Sequence, residues 1–231
     1  MELRRFPDSA VVAQRAAQFI ATEARATVAH RGRFKFAVSG GQTPWQMLRA
    51  LAEEDVPWSN VHVFQVDERV STEGDSDRNL THIRDSLLAH IALPPANLHL
   101  MHVEATDLDA AAAGYGRMLA TIAGTPAVLD LAHLGLGLDG HTASLVPGDP
   151  VLQEDRADVA LTGPYKGRRR MTLTFPILNR SRCVLFVVTG ADKTPMLERL
   201  RARDPAIPAG RITGERALIM ADAAAAGAAA T

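Results

Sequence analysis

The chain contains one cysteine, Cys183, and only three lysines, Lys35, Lys166 and Lys193, among its 25 basic residues. A single cysteine excludes an intrachain disulfide, and its apolar neighbours mark Cys183 as a buried small hydrophobe rather than a nucleophile. No run of Lys or Arg lies beside aromatics, and the formal net charge is −1. A nucleic-acid or membrane-surface role therefore has no electrostatic footprint. The longest strongly apolar stretch surrounds Cys183–Val188, far short of the roughly 20 residues that span a bilayer. Met1–Arg5 leads into a polar segment without the apolar core of a signal peptide, so a cytoplasmic location is expected. Scarce lysine beside abundant alanine looks like coding bias. Most arginines then need no individual reason, whereas each lysine invites one.

What remains is the composition of a protein with a core: 231 residues, 47% apolar and 22% charged. That length suits one large α/β domain over 1–231. The Ala-rich stretch 222–231 is expected to be a frayed tail. Val11, Val12, Ala16, Phe19, Ile20 and Ala24 recur at helical spacing and predict a helix over Asp8–Ala29, capped by Asp8 or Ser9. Further helices are predicted at Pro44–Glu53, Asn79–His90, Asp107–Ile122 and Ala191–Arg203. Strands are predicted at Phe34–Val38, Val61–Val66, Leu98–Val103, Leu129–Leu134, Met171–Phe175, Cys183–Val188 and Ala217–Met220, with a polar loop over Asp67–Arg78. This alternation argues for βαβ units and a largely parallel sheet with helices on both faces.

In an open α/β sheet, ligands sit at the carboxyl ends of strands. Ser39-Gly40-Gly41-Gln42-Thr43-Pro44 falls at such a place. Paired glycines and a helix N-terminus can present N–H groups to an anion, with the Ser39 and Thr43 hydroxyls as further donors. A glycine turn with an N-cap explains the segment as well. Asp67-Glu68-Arg69 follows the strand Val61–Val66 and can orient a polar substrate, although a solvated charged loop is the commoner explanation. Gly135, Gly137 and Gly140 form a G-x-G-x-x-G pattern. A dinucleotide turn should open a long helix in the first βαβ unit; Pro147-Gly148 interrupts here, in the second half of the chain. What is left is Asp139 two residues before His141 on a tight loop. An imidazole there can take a proton from water, and a carboxylate can fix its tautomer. The other seven histidines have no such setting and are assigned to surface or core. Lys193, at another strand-to-helix junction, suits a phosphate. Of Arg168, Arg169 and Arg170, the one nearest the strand, Arg170, is the ligand candidate.

Together these segments resemble the 6-phosphogluconolactonase family. The resemblance rests on Ser39–Pro44, Asp67–Arg69 with Asp77–Asn79, Gly135–Gly148, Arg170–Asn179 and Val188–Lys193, in that order and spacing. It implies a Rossmann-like three-layer α/β/α fold with a mainly parallel sheet, related to glucosamine-6-phosphate deaminase and ribose-5-phosphate isomerase. It also implies hydrolysis of 6-phospho-D-glucono-1,5-lactone, a small phosphorylated sugar lactone, in the pentose phosphate pathway, with no cofactor and no metal. By the family pattern His141 is the general base and Asp139 its neighbour. Ser39, Gly40, Gly41, Thr43, Arg170 and Lys193 line the phosphate pocket, and Asp67 belongs with the substrate-binding residues. Arg69 faces the substrate or steadies Asp139. Val146 and Leu80 stand where the family often has an aromatic, and the match is loose beyond about Arg203. A deaminase of the same superfamily would need a carboxylate just after the Asp-Gly-His loop, and Leu145-Val146-Pro147 supplies none. A non-catalytic sugar-phosphate-binding module would carry an added DNA-binding segment or lack the base. No feature specifies an oligomeric state.

Overall fold

The computed structural model describes residues 1–227. The chain begins with β1 (Glu2–Phe6), α1 (Ser9–Arg31), β2 (Phe34–Val38), α2 (Gln42–Ala52) and β3 (Val61–Gln65). It continues through β4 (Asp67–Arg69), α3 (Asn79–Ser86), β5 (Leu98–His99), α4 (Leu108–Ala123) and β6 (Leu131–Leu134). The rest is β7 (Val159–Leu161), β8 (Arg170–Leu173), α5 (Phe175–Arg180), β9 (Cys183–Val188), α6 (Thr194–Arg201), β10 (Arg216–Asp222) and α7 (Ala223–Ala226).

Seven strands form one sheet in the order β1-β10-β9-β6-β2-β3-β5, and every pairing in it is parallel. Strands buried on both faces must be apolar throughout, and β9, CVLFVV, is buried at all six positions. Alternation then divides its side chains between two cores. Cys183, Leu185 and Val187 pack with α1 and α2; Val184, Phe186 and Val188 pack with α4 and α6. Full burial of a side chain such as Phe186 contributes about 1.5–3 kcal/mol. The result is the expected three-layer arrangement. Among the described residues no helix is long and apolar enough to cross a membrane.

Local signals account for the helix ends. Asp8 caps α1 by accepting from the Val11 N–H at 2.9 Å, and Gly32 closes it at φ 77°. Asp107 caps α4 in the same way through the Ala110 N–H at 2.9 Å.

The structure corrects several expectations. Asp67–Arg69 is a strand rather than a loop, because β8 pairs with it antiparallel, placing Asp67 opposite Thr172 and Arg69 opposite Arg170. The segment expected as a main-sheet strand at Met171–Phe175 is therefore β8, the centre of a separate antiparallel sheet β4-β8-β7. It ends where Thr174 and Pro176 start α5. The polar edge strand β1 lacks an apolar run that would mark it, and β7, Val-Ala-Leu, is only three residues long. The Ala-rich end is not simply frayed: Asp222 completes β10 and caps α7 through the Ala225 N–H at 2.7 Å, and Ala225 is fully buried. The rest of the expected tail, 228–231, lies outside the described residues.

Candidate active site

Progression from β2 runs through β3 to β5 on one side, and from β6 through β9 to β10 on the other. The sheet therefore reverses direction between β2 and β6, and a ligand crevice is expected outside the carboxyl ends there. A cleft of about 750 Å³ opens at that place. Ser39, Gly40, Gly41, Thr43, Asp67, Arg69, Asp139, His141, Arg170 and Lys193 all line it. Tyr165, Lys166, Asn79 and Thr189 line it too, and the sequence reading did not choose them. For Lys166 a signal existed, because it is one of three lysines. Two of those three are at the cleft; the third, Lys35, lies 3.9 Å from the buried carboxylate of Asp130.

After β2 the chain turns at Gly41, whose φ of 122° favours glycine. Gly41 is the N-cap of α2, and no side chain caps that helix, so its first N–H groups remain available to an anion. Gly40 has a packing reason beside the expected approach of its backbone to an anion. A Cβ there would fall 1.9 Å from Asn79 Oδ1, so α3 packs where a side chain would stand. Thr43 and Thr189 hydroxyls lie 2.6 Å apart and tie this loop to the one after β9. In that second loop Asp222 accepts from the Gly190 N–H, which fixes the approach to Lys193. Beneath Ser39 lies His133, fully buried, whose Nδ1 accepts from the Ser39 N–H at 3.4 Å. Burial pushes its imidazole down to about 3, so the ring under the loop is neutral.

After β6 the loop carries the Asp–His pair. No long helix follows Gly140; the next element is a short 3-10 turn at Pro150–Gln153, which agrees with rejecting the dinucleotide motif. His141 Nδ1 and Asp139 Oδ1 are 2.5 Å apart, and the His141 N–H donates to the same oxygen at 3.1 Å. A carboxylate only accepts, so Nδ1 carries the proton, and in the neutral imidazole the lone pair is then on Nε2. Burial alone would raise the Asp139 carboxyl, but the positive charge of His141 in its protonated form and hydrogen bonds from His141 and Tyr165 hold it below its ordinary value. Gly137 is required by this geometry, since a Cβ there would fall 2.0 Å from His141 Nδ1.

The small sheet contributes the remaining groups. Arg69 does not bond Asp139. Its Nη1 donates to the Asp77 carbonyl and to Asn79 Oδ1. Asp67 is buried, accepting from the Ser144 hydroxyl at 2.6 Å and from Asn79 Nδ2 at 3.3 Å. Glu68 turns away from the cleft. Its carboxylate accepts from the Arg69, Asn79 and Leu80 N–H groups, each at 2.8 Å, and so caps α3. Of the three consecutive arginines, Arg168 pairs with Asp75 and Asp77 and Arg170 alone lines the cleft. Arg170 is 6% exposed and its Nε has no protein partner. Directly opposed residues on paired strands share a face, so Arg69 and Arg170 stand side by side as like charges, an arrangement that an anion relieves.

Fold and cleft define a Rossmann-like α/β/α protein with arginines, a lysine and a glycine loop gathered at its switch point beside a carboxylate-supported imidazole. More particularly, the chain belongs to the glucosamine-6-phosphate isomerase/6-phosphogluconolactonase family, whose model matches residues 7–220. The match thus continues beyond Arg203. The 6-phosphogluconolactonase of Synechocystis sp. is 39% identical over 197 residues, covering 83% of this chain and 81% of that protein. The 6-phosphogluconolactonase structure from Thermotoga maritima superposes with a TM-score of 0.86 at 27% identity, over 96% of this chain and 99% of that one. A monomeric glucosamine-6-phosphate deaminase shares the fold, with a TM-score of 0.85 at 18% identity over 98% and 99% of the two chains.

Proposed function

We propose that this chain hydrolyses 6-phospho-D-glucono-1,5-lactone to 6-phospho-D-gluconate, the second step of the oxidative pentose phosphate pathway, in the cytoplasm. The observation that carries the reading is the 2.5 Å contact between His141 Nδ1 and Asp139 Oδ1 inside the cleft that Arg69, Arg170 and Lys193 line. A δ-lactone is an activated ester whose leaving oxygen stays tethered. His141 Nε2 takes a proton from water as the water oxygen attacks C1. The resulting oxyanion is stabilised by Arg69, whose guanidinium has donors left after its bonds to Asp77 and Asn79. Collapse breaks the bond from C1 to the ring oxygen, and the imidazolium returns its proton to that oxygen. The new carboxylic acid then ionises to solvent.

The N–H groups of the Ser39–Thr43 loop, with Lys193 and Arg170, hold the 6-phosphate, and Asp67 helps to orient the sugar. Phosphate binding places C1 at His141 and contributes remote binding energy to the reaction. A deaminase reading is disfavoured because Leu145 and Val146, both buried, stand where a second carboxylate would be needed.

The test is an assay of freshly made lactone by proton release, corrected for spontaneous hydrolysis, beside an ammonia assay with glucosamine 6-phosphate. Lactone turnover above background is expected and ammonia is not; the opposite pattern overturns the proposal. Lys193→Ala and Arg170→Ala should raise KM for the phosphorylated lactone while barely changing the slow hydrolysis of unphosphorylated gluconolactone. Equal losses on both substrates would move these residues out of the phosphate site. Gly137→Ala should fold but displace the imidazole, lowering kcat by at least about ten-fold, because small misplacements of reacting groups are costly. Unchanged kcat would show that the observed His141 rotamer is not the working one.

A further inference from the structure

We propose that Tyr165 is a positioning residue for the reaction, its hydroxyl fixing the Asp139 carboxylate that in turn aims His141. The inference rests on the reading of His141 as the base. Asp139 and His141 lie two residues apart on one turn, with side chains 37% and 23% exposed, so water competes for both. The pair needs a hold from outside its own loop. Asp139 Oδ1 is taken by His141, and Oδ2 accepts from the Tyr165 hydroxyl at 3.1 Å. With each oxygen engaged by a different residue, the carboxylate cannot rotate without losing a hydrogen bond.

Tyr165 comes from the connection between β7 and β8, so this bond joins the small sheet to the loop of the large one. Its anchorage is firm. Tyr165 and Arg168 exchange backbone hydrogen bonds across a tight turn, 2.9 and 3.2 Å long. Lys166 and Gly167 at its tip have φ of 51° and 78°. Arg168 fastens the turn to Asp75 at 3.1 Å and to the Ser71 hydroxyl at 2.7 Å. The Tyr165 ring meets His141 edge-on, with centroids 5.5 Å apart, and the Arg170 guanidinium lies 5.0 Å from its centroid. Burial and the neighbouring Asp139 charge raise the phenol above its ordinary value, so the hydroxyl remains a donor at neutral pH.

Tyr165→Phe removes the hydroxyl and keeps the ring contacts. Losing one hydrogen bond to a charged group should lower kcat for the phosphorylated lactone about ten-fold, with KM and the melting temperature nearly unchanged. In an Asp139→Asn background the same substitution should add little further loss, because the route through Asp139 is already cut. The proposal is overturned by wild-type kcat in Tyr165→Phe, by a loss confined to KM, or by the full ten-fold loss persisting in Asp139→Asn. Absence of lactone hydrolysis by the parent protein would instead sink the functional reading, so the two failures are distinguishable.

Discussion

His141→Ala should leave a folded protein whose lactone turnover is lower by roughly two to four orders of magnitude, the usual weight of general-base catalysis. Folding should survive because the side chain is 23% exposed and its recorded hydrogen bond is to Asp139, not to the core. Binding should survive as well, since the anion loop and Lys193 are untouched. At one hundred times its dissociation constant, 6-phosphogluconate stabilises a protein it binds by about 2.7 kcal/mol, and His141→Ala should show the same thermal shift as the parent. Near-native turnover, measured above the spontaneous background, would remove His141 from the chemistry. Loss of turnover together with loss of the ligand-induced shift would mean that the residue binds rather than reacts.

The largest stability effect should come from Glu68, which does not face the cleft at all. It is fully buried. Its oxygens take three backbone N–H groups and Gln65 Nε2 at 2.7 Å, and Arg78 Nε lies 3.8 Å away. Glu68→Ala leaves the first N–H groups of α3 and the buried Arg78 without this partner. Removing one partner of a buried charged network costs about 3–5 kcal/mol, read as a lower urea midpoint of the ligand-free protein. Glu68→Gln keeps the size and one acceptor oxygen but points an amide at N–H donors, so an intermediate loss is expected. A change below about 1 kcal/mol in Glu68→Ala would show that water replaces the lost contacts and that Glu104, already 3.0 Å from Arg78 Nη1, suffices for the arginine. Activity should fall as well, because Asn79, the first residue of α3, holds Arg69 at 3.1 Å.

Why Glu68 was invisible as a cap is instructive. In the chain it is one of a pair of acids beside an arginine, indistinguishable from its neighbour Asp67. Strand alternation sends the two carboxylates to opposite sides: Asp67 lines the cleft and Glu68 goes under α3. That alternation exists only because β8, about one hundred residues later, pairs with Asp67–Arg69. Gly40 shows the same limit. Its glycine was legible, but the crowding that demands it comes from Asn79, and no local pattern announces a neighbour from another element.

By itself, the sequence determined the parallel sheet, the helices on both its faces and a capped helix start at Asp8 or Ser9, because periodicity and capping act within a few residues. It also marked the three glycine-bearing or lysine-bearing strand ends, since a loop that must turn tightly or meet an anion restricts its own composition. Only the tertiary structure decided what surrounds those ends. Arg69 is held by Asp77 and Asn79 rather than by Asp139, Arg170 is buried opposite it, and Tyr165 reaches Asp139 from the small sheet. Each of these contacts joins residues whose chain separation carries no periodic signal, and a hydrogen bond depends on ångström distances that only packing sets.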